Sequence, residues 1–267
     1  MDILGAKIIL TGAGSGIGAA LLRELSLFDC KIIAVDINES AIKALVSLET
    51  SIKQNIHAEI IPFVADLSKK EDIDSLFDFG CKVMGGIDLF IANAGFAYYE
   101  KMTDAQWEHI EKIYQLNVFS PIYSFLKMKE LNKNRPYQVC ITASAMAFMG
   151  LAGYALYGST KAALERFSDA YYYEKDDKGI LSLVYPVATK TNFFHTSASL
   201  PAPIYFPSQL PTQVAKAIIK GIKSNQKRIF PSFLFKISFF FGTLQRLANM
   251  PYQWYAKRMF NKWSKKQ

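Results

Sequence analysis

Cysteine is scarce in this chain, and its placement excludes the structural roles that depend on paired thiols. The 267 residues contain three cysteines, Cys30, Cys81 and Cys140, which lie far apart in mostly apolar surroundings. They form no Cys-x-x-Cys pair and their number is odd, so they indicate core thiols in a reducing compartment. We therefore expect a cytoplasmic protein.

Histidine is equally scarce, and the chain has no internal repeat or low-complexity tract. The three histidines, His57, His109 and His195, match no metal-ligand spacing, so no metal site is predicted. An apolar strand pattern begins almost at residue 1, which leaves no room for a signal peptide. The apolar run at 233–241 is too short to span a bilayer, since spanning takes about 20 residues.

Acidic residues are absent from the last third of the chain. Residues 178–267 carry 14 lysines and arginines and no aspartate or glutamate, whereas the first 177 residues carry 17 cations and all 23 acids. The formal net charge of +8 therefore comes from the C-terminal third. Such a segment predicts contact with an anionic partner. Nucleic acid is not expected, because no recognisable binding module is present.

A glycine-rich turn, TGAGSGIG at 11–18, lies between a buried strand pattern and a helical one. A strand, a glycine turn and a helix together place backbone N–H groups at a helix N-terminus, where a pyrophosphate can bind. Gly12 permits the tight turn, Gly16 the close approach of phosphate and Gly18 the close packing of the helix. The alternative is a glycine-rich loop that binds no ligand.

The second predicted strand, 31–35, is followed directly by Asp36. A carboxylate at this point can accept hydrogen bonds from adenosine ribose hydroxyls, and it repels a 2′-phosphate. The variable positions of the glycine turn are Ala13, Gly14 and Ser15, none of which offers a compensating cation. The sequence therefore favours NAD(H) over NADP(H), unless Asp36 only caps the turn that follows it.

Strand and helix patterns alternate along the rest of the chain, with strands predicted at 59–65, 88–91, 137–142 and 180–185 and near 228–230, and helices at 39–54 and 103–131. This rhythm predicts an α/β fold, a single-domain Rossmann-type doubly wound parallel sheet with a C-terminal helical extension. The predicted division is a domain at 1–230 and an apolar and basic extension at 231–267. Ligands gather at the carboxyl ends of such strands, and there we expect Asp66, Asn93, Gly95 and Ser144.

Two residues on the helix after the fifth strand have the chemistry of a proton-transfer site. Tyr157 and Lys161 are four residues apart, so both project from one helix face. A phenol has a pKa near ~10, and a nearby ammonium should lower it. Asn117 stands in an apolar stretch of the predicted 103–131 helix, where a satisfied polar core residue is the alternative to a functional one.

Taken in order, these motifs resemble the classical short-chain dehydrogenase/reductase family over roughly residues 4–230. The TGxxxGIG turn is complete, the segment 93–95 matches most of the family's Asn-Asn-Ala-Gly motif, and thirteen residues separate Ser144 from Tyr157. The competing Tyr154 has Gly158 four residues on, so it does not fit the catalytic slot. Two positions depart from the pattern. Ala92 replaces the first asparagine of the motif, and Val187 replaces the usual glycine after the sixth-strand proline.

The resemblance implies roles for individual residues. Tyr157 is the expected general acid or base, Lys161 lowers its pKa and holds the nicotinamide ribose, and Ser144 hydrogen-bonds the substrate oxygen. Asn117 is expected to hold a water that links Lys161 to solvent. The expected catalytic set is Asn117, Ser144, Tyr157 and Lys161. The expected cofactor contacts are Gly12, Ser15, Gly16, Ile17, Gly18, Asp36, Asp66, Leu67, Asn93, Gly95, Tyr157, Lys161, Thr189 and Thr191.

The segments after Pro186 contain few motifs of the family that they could be compared with. Residues 190–211 are predicted to form the substrate loop, whose apolar members are Phe193, Phe194, Pro201, Pro203, Tyr205, Phe206 and Pro207. After Pro251, six apolar residues recur at helical spacing and form one stripe: Tyr252, Tyr255, Ala256, Met259, Phe260 and Trp263. The cations Lys257, Arg258, Lys262 and Lys265 lie off that stripe. This segment is typical of an interfacial helix on anionic lipid. Packing on its own domain or on a partner subunit, and recruitment of an acidic substrate carrier, are the alternatives.

The predicted activity is NAD(H)-dependent interconversion of a secondary alcohol and a ketone on a hydrophobic, steroid-like or lipid-derived molecule. A 3-oxoacyl thioester reductase acting on an acyl carrier protein is an alternative that Asp36 disfavours. A non-catalytic dinucleotide sensor or membrane-docked scaffold is a second alternative. The resemblance also implies a homodimer or homotetramer, and the tail allows a peripheral position at a membrane.

Overall fold

The computed structural model describes residues 1–51, 57–103, 106–175, 178–191, 193, 205 and 208–242, and residues 251, 252, 254, 255, 258, 259 and 262. The described strands are β1 Lys7–Thr11, β2 Lys31–Asp36, β3 Glu59–Val64, β4 Leu89–Ala92, β5 Tyr137–Thr142, β6 Gly179–Val184, β7 Ala188–Thr189, β8 Ser208–Gln209 and β9 Arg228–Ile229. The α-helices are α1 Gly16–Leu25, α2 Glu39–Ser51, α3 Lys70–Met84, α4 Trp107–Tyr114, α5 Ser120–Leu131, α6 Ala155–Glu174, α7 Pro211–Lys223 and α8 Phe233–Phe240.

Seven strands form one parallel sheet in the order β3-β2-β1-β4-β5-β6-β9. Neighbouring strands pair in parallel throughout, for example Ile9 with Ile33 and with Phe90. A short parallel pair, β7 with β8, stands apart from it. The strand order reverses between β1 and β4, which opens a crevice at the carboxyl ends of the central strands. The predicted Rossmann-type fold is confirmed.

Two helical layers cover the sheet, because consecutive residues of a strand point to opposite faces. In β1, Ile9 packs into the core on one face, and Ile8 and Leu10 pack into the core on the other. Helices α3, α5 and α6 contribute to the first core, and α1, α2 and α7 contribute to the second. Phe235 of α8 joins the first core, so the segment after residue 230 packs against the sheet domain. The division at residue 230 stays a prediction.

The predicted helix at 103–131 is wrong in two respects, because it begins only at Trp107 and is not one continuous α-helix. Helix α4 ends at Tyr114, a π-helical turn spans Gln115–Phe119, and α5 begins at Ser120. Pro121 has no N–H to donate to the carbonyl of Asn117 four residues earlier, and a proline ring crowds that carbonyl in a regular α-helix. The wider turn relieves both problems. Residues 104 and 105 lie outside the described part.

Smaller differences concern the ends of elements, which a sequence pattern locates only to within one or two residues. The third strand stops one residue early, at Val64, the fourth is shifted one residue later, and the sixth one residue earlier. Helix α2 is described to Ser51, and the remaining predicted residues 52–54 lie outside the described part.

Candidate active site

The glycine-rich turn forms one wall of the crevice at the end of β1. Gly12 and Gly16 adopt φ values of +63° and +53°, a region that side chains rarely occupy. A Cβ at Gly12 would lie 2.8 Å from the Ala94 Cα, so the turn also packs tightly against the segment after β4. The N–H groups of the first turn of α1 have no partners within the helix. Their position at the crevice makes an anion-binding site.

Thr11 ties this turn to β4, and sequence reasoning did not assign it a site role. Its Oγ1 accepts hydrogen bonds from the N–H groups of Asn93 and Ala94, each at 3.0 Å, and donates to the Ile91 carbonyl at 3.3 Å. The side chain is buried. Thr11 is the first residue of the TGxxxGIG motif and the last residue of β1. Its place in the motif is the sequence feature that could have identified it as a site residue.

Asp36 faces the glycine turn from the end of β2. Its Oδ2 accepts a hydrogen bond from the Gly14 N–H at 2.8 Å, and its Oδ1 accepts from the Asn38 N–H at 2.9 Å. A Cβ at Gly14 would lie 2.9 Å from the same Oδ2, so only glycine leaves the carboxylate in this place. Asp36 is therefore held at the crevice by the glycine turn as well as by the turn that follows β2, and its role toward a ribose stays a prediction.

Asp66 and Leu67 follow β3 at the same edge of the sheet, and both line the crevice. The Asp66 Oδ1 accepts hydrogen bonds from the Ser68 N–H at 3.1 Å and the Ser68 hydroxyl at 2.6 Å. The Asp66 N–H donates to Asp72 of α3 at 2.8 Å. These bonds hold the segment 66–68 in one conformation beside the crevice.

Asn93 joins three strand ends. Its Nδ2 donates to the Gly12 carbonyl at 3.3 Å, and its Oδ1 accepts from the Thr142 hydroxyl at 3.2 Å. Gly95 follows closely, and a Cβ there would lie 3.0 Å from the Oδ1 of Asn117. The segment 93–95 is therefore held by β1, by β5 and by the π-helical turn.

Asn117 lies behind the crevice in the π-helical turn and is 1% exposed. Its Oδ1 accepts from the Phe96 N–H at 3.1 Å, and its Nδ2 donates to the Phe96 carbonyl at 2.8 Å and to the Thr160 hydroxyl at 3.3 Å. All these contacts are with other protein groups, as expected if Asn117 is a satisfied polar core residue, which was the alternative to a functional role. The predicted water link to Lys161 stays a prediction.

Ser144 and Tyr157 meet at the floor of the crevice. Ser144 follows β5, and its Oγ accepts a hydrogen bond from the Met146 N–H at 3.1 Å. Tyr157 lies on α6 and is 8% exposed. Burial raises the pKa of the Tyr157 phenol to about 12, because water no longer solvates the phenolate, while its hydrogen bond with the Ser144 side chain lowers that pKa.

Lys161 lies one turn further along α6, with its Nζ donating to the Thr142 carbonyl at 2.8 Å. The Nζ is 5.5 Å from the centre of the Tyr157 ring. Burial lowers the pKa of Lys161 to about 7, because a buried ammonium loses its hydration. Among the described groups around Tyr157, Ser144 is the one that lowers its pKa. The lowering of the Tyr157 pKa by Lys161 stays a prediction.

Thr189 and Thr191, which follow β6, also line the crevice. The Thr189 Oγ1 donates to the Val187 carbonyl at 2.9 Å, and Val187 lines the crevice in place of the usual glycine. The Thr191 Oγ1 accepts from the Phe193 N–H at 3.2 Å. A Cβ at Gly16 would lie 3.1 Å from the Thr191 Cγ2, so this threonine packs close to the glycine-rich turn.

Most of the groups described above line one cavity of about 810 Å³. Of the predicted site residues, Gly18 and Asn117 do not line it. A Cβ at Gly18 would lie 1.8 Å from the Gly12 carbonyl oxygen, so Gly18 serves the packing of α1 as predicted. The remaining predicted residues do line it: Gly12, Ser15, Gly16, Ile17, Asp36, Asp66, Leu67, Asn93, Gly95, Ser144, Tyr157, Lys161, Thr189 and Thr191.

The other half of the cavity is apolar and aromatic, and sequence reasoning found only part of it. Phe193 and Tyr205, from the predicted substrate loop, line it, and the Tyr205 and Tyr99 hydroxyls are 3.1 Å apart. The other predicted loop residues, Phe194, Pro201, Pro203, Phe206 and Pro207, lie outside the described part. Further lining comes from three regions that were not predicted to reach the cavity: Met146, Met149, Leu151, Leu234, Phe235, Ser238 and Tyr252.

The tail packs on this aromatic half. Tyr252 and Met259 lie against the cluster that contains Tyr157 and Tyr205, and the Tyr252 and Tyr205 ring centres are 6.2 Å apart. Packing on its own domain was one of the alternatives for the tail. Tyr255, from the same predicted stripe, is 39% exposed. Residues 256, 260 and 263 lie outside the described part.

A nicotinamide dinucleotide fits the residues that the crevice brings together. The glycine turn and the first turn of α1 suit a pyrophosphate, the Asp36 carboxylate suits ribose hydroxyls, and a proton-transfer pair stands at the far end. Within the described residues, no group of three or more histidine, cysteine or acidic side chains is arranged to hold a metal ion. No helix in the described part of the chain is long and apolar enough to cross a membrane.

Comparison with known proteins bears on both the family and the fold. A family model described as short chain dehydrogenase matches residues 6–200. Estradiol 17-beta-dehydrogenase 11 of Rattus norvegicus is 29% identical over 232 residues, which cover 86% of this chain and 76% of that relative.

Two solved structures share the fold at lower identity. A short chain dehydrogenase/reductase from Burkholderia phymatum in complex with NAD superposes with a TM-score of 0.78 at 17% identity, covering 92% of this chain and 96% of that chain. A short-chain dehydrogenase from Sphingobium yanoikuyae in complex with NADPH superposes with a TM-score of 0.77 at 19% identity, with the same two coverages of 92% and 96%.

Proposed function

Because the chain belongs to the short chain dehydrogenase family, we propose that it is an NAD(H)-dependent oxidoreductase that interconverts a secondary alcohol and a ketone on a hydrophobic molecule. The observation that carries this proposal is the single cavity that joins a dinucleotide-binding crevice to an aromatic pocket. Tyr157 lies where the two halves meet, since it lines the cavity and also packs within the aromatic cluster.

Tyr157 is the proposed proton donor or acceptor. At neutral pH its phenol is protonated, since burial raises its pKa to about 12, which suits a general acid that donates to a ketone oxygen. Ser144, already hydrogen-bonded to Tyr157, would donate to the same oxygen as negative charge develops on it. The nicotinamide supplies or accepts the hydride when it is bound. Protonation of Lys161, whose pKa is about 7, would stabilise the phenolate during alcohol oxidation.

The proposed cofactor contacts are distributed along the crevice, from the adenosine end to the nicotinamide end. The turn at 11–18 would bind the pyrophosphate, and Asp36 would accept hydrogen bonds from the adenosine ribose. Asp66 and Leu67 would border the adenine, and Asn93 and Gly95 would shape the middle of the crevice. At the far end, Lys161 would hold the nicotinamide ribose, and Thr189 and Thr191 would contact the carboxamide.

NAD(H) is the proposed cofactor because of the charges around the adenosine end. The Asp36 carboxylate is held there by two backbone N–H groups. Lys161 is the only lysine or arginine among the described residues that line the cavity, and it lies at the opposite end. A 2′-phosphate would therefore face the Asp36 carboxylate with no lysine or arginine among the described residues of the cavity wall at that end, which Coulomb repulsion disfavours.

A steroid-like or lipid-derived molecule is the proposed substrate. Aromatic and methionine side chains dominate the substrate half of the cavity, and such walls bind apolar rings and chains with little directional preference. The relative from Rattus norvegicus is named for dehydrogenation at the 17-beta position of estradiol. A 3-oxoacyl chain on an acidic carrier is the second candidate, favoured by the absence of acids from residues 178–267.

A cofactor-coupled turnover screen tests the proposal, with NADH and NADPH in parallel. The panel contains steroid and aliphatic ketones, the corresponding secondary alcohols, and 3-oxoacyl chains both free and attached to an acyl carrier protein. We expect turnover of hydrophobic ketones with NADH. A requirement for the carrier protein would favour the second candidate. Tight NADH binding without hydride transfer to any member of the panel would contradict an enzymatic role and favour a dinucleotide sensor.

A further inference from the structure

Helix α8 forms part of the rim of the substrate cavity. Leu234, Phe235 and Ser238 of this helix line the cavity. Phe235 is buried in the core of the sheet domain, whereas Leu234 is 68% exposed. A side chain that both lines a cavity and faces solvent lies at the mouth of that cavity. The mouth therefore opens beside α8.

The outward side of α8 is as apolar as its inward side. Phe233, Phe240 and Phe241 are 73%, 70% and 60% exposed, and Ile237 is 39% exposed. Together with Leu234 they make a continuous stretch of apolar surface next to the mouth, which we call the α8 patch. An exposed apolar patch on an α/β domain marks an interaction surface. Helix α8 has eight residues, which at ~1.5 Å each rise about 12 Å, so it is far too short to cross a bilayer of ~30 Å.

The charged side chains of α8 and of the tail are all positive. The acids that the structure shows on this side, Glu165 and Asp169, are paired with Arg228, whose guanidinium lies 5.6 Å from the centre of the Phe239 ring of α8. Lys236 is exposed on α8 itself, and Arg258 and Lys262 are exposed in the tail that also reaches the cavity through Tyr252. The Arg258 guanidinium lies 5.7 Å from the centre of the Trp254 ring, and Trp254 is 64% exposed. No acidic residue occurs anywhere from 178 to 267. Apolar rings beside exposed cations, in segments that contain no acids of their own, complement the surface of an anionic lipid layer.

We propose that the α8 patch and the exposed cations of the tail dock the mouth of the cavity on an anionic lipid surface, so that a hydrophobic substrate enters directly from lipid. Docking requires only the patch and the cations. The entrance role rests on the function proposed above, because it assumes that the aromatic half of the cavity receives the substrate. An acidic protein would need an apolar surface of its own, matched in shape to Phe233, Phe240 and Phe241, whereas a lipid layer accepts these rings in any orientation.

Vesicle flotation tests the docking step. The full chain is mixed with vesicles of phosphatidylcholine alone, or of phosphatidylcholine with phosphatidylserine, and the bound fraction is measured. The test variant is Phe233→Ser with Phe241→Ser, two exposed side chains that do not line the cavity. The control is Leu4→Ser with Leu27→Ser, which are 62% and 50% exposed at the amino ends of β1 and β2, the edge of the sheet opposite the cavity.

The expected result is strong binding to the phosphatidylserine vesicles and weak binding to phosphatidylcholine alone. Binding of the test variant should fall at least tenfold, since both phenylalanines lose their burial in lipid, while the control binds like the wild type. Equal NADH binding by all variants shows that each is folded. Equal flotation of the test variant and the wild type, or no flotation of either, would overturn the docking proposal. A dimer that needs Phe233 and Phe241, in the absence of vesicle binding, would assign the α8 patch to a second copy of the chain.

Turnover tests the entrance step separately. With a ketone that the wild type reduces, activity is compared for substrate dissolved in the same vesicles and for a short, water-soluble ketone. The test variant should lose activity at least tenfold on the vesicle-dissolved ketone and keep it on the water-soluble one. Equal losses on both would overturn the entrance role. Flotation without turnover of any ketone by the wild type would instead refute the proposed function and leave docking intact.

Discussion

Replacing Asp36 with asparagine probes the proposed preference for NAD(H). The Asp36 carboxylate is fixed by the N–H groups of Gly14 and Asn38, at 2.8 and 2.9 Å. Asparagine has nearly the same shape, and its side-chain oxygen can still accept one of these hydrogen bonds. The substitution therefore removes a negative charge with little change of geometry at the adenosine end of the crevice.

The size of the effect follows from the charges. A unit charge about 4 Å from another is repelled by ~1 kcal/mol in water and by more in a less polar medium. Asp36 is half-buried beside an open crevice, so the lower figure applies. A 2′-phosphate carries about two negative charges near neutral pH, by analogy with other phosphate monoesters. The repulsion is then about 2 kcal/mol, or roughly a 30-fold discrimination between the cofactors.

The assay is steady-state reduction of one ketone with NADH and with NADPH. The ratio of kcat/KM for NADH to that for NADPH should fall about 30-fold in Asp36→Asn. Asp66→Asn is the matched control, because Asp66 lies beside the proposed adenine position, which both cofactors share, and it should change both values alike. A wild type that prefers NADPH, or an unchanged ratio in Asp36→Asn, would refute the electrostatic argument.

Two further predictions concern buried groups of the site. Between pH 7 and 8.5 the free energy of unfolding should rise with pH by up to about 1.4 kcal/mol per unit, because Lys161 has a pKa of about 7 when folded and keeps its proton when unfolded. The raised pKa values of Cys30 and Cys140, each about 12, oppose this trend only above the unfolded thiol pKa of about 8.5. Urea titrations across this range check the slope, most of which Lys161→Met should lose, since the lowered pKa of the partly buried Met1 ammonium adds a rise of the same sign; an unchanged slope in that variant would contradict the assignment. Thr11→Val should lower the free energy of unfolding by about 2–4 kcal/mol, because it leaves two N–H groups after β4 without their acceptor. Thr11→Ser keeps the hydroxyl and should stay within about 1 kcal/mol of the wild type, and similar losses in both variants would point to packing instead.

The sheet and the dinucleotide crevice could be predicted because they depend on local patterns. Strands that are buried on both faces appear as apolar runs, and closely spaced glycines at a strand-to-helix turn are typical of a phosphate-binding loop. Parallel alternation then brings the ends of β1, β2, β3 and β4 to one edge, where Asp36, Asp66 and Asn93 meet. None of these steps needs knowledge of a contact between distant segments.

Features that depend on such contacts could not be predicted in the same way. The π-helical turn comes from Pro121 acting on the carbonyl of Asn117, which a periodicity argument does not resolve. The pKa values of Tyr157 and Lys161 are set by burial, whereas sequence spacing showed only that the two side chains share a helix face. Tyr252 reaches the cavity from a segment whose spacing suits lipid and protein surfaces equally well.

Several expectations have not been tested by the structure. The homodimer or homotetramer implied by the family resemblance stays a prediction, and so does the cytoplasmic location. The roles assigned to individual site residues also stay proposals, although most of those residues surround one cavity.

The most direct test of the central claim is the rate of hydride transfer in a single turnover by Tyr157→Phe. This variant keeps the ring that packs in the aromatic cluster and removes only the phenolic hydroxyl. Tyr154→Phe is the matched control, since Tyr154 is a buried neighbour whose ring centre is 6.1 Å from that of Tyr157. If Tyr157 transfers the proton, its variant should lose roughly 10²–10⁴-fold in rate while still binding NADH, and Tyr154→Phe should stay close to wild type. A wild-type rate in Tyr157→Phe would contradict the account.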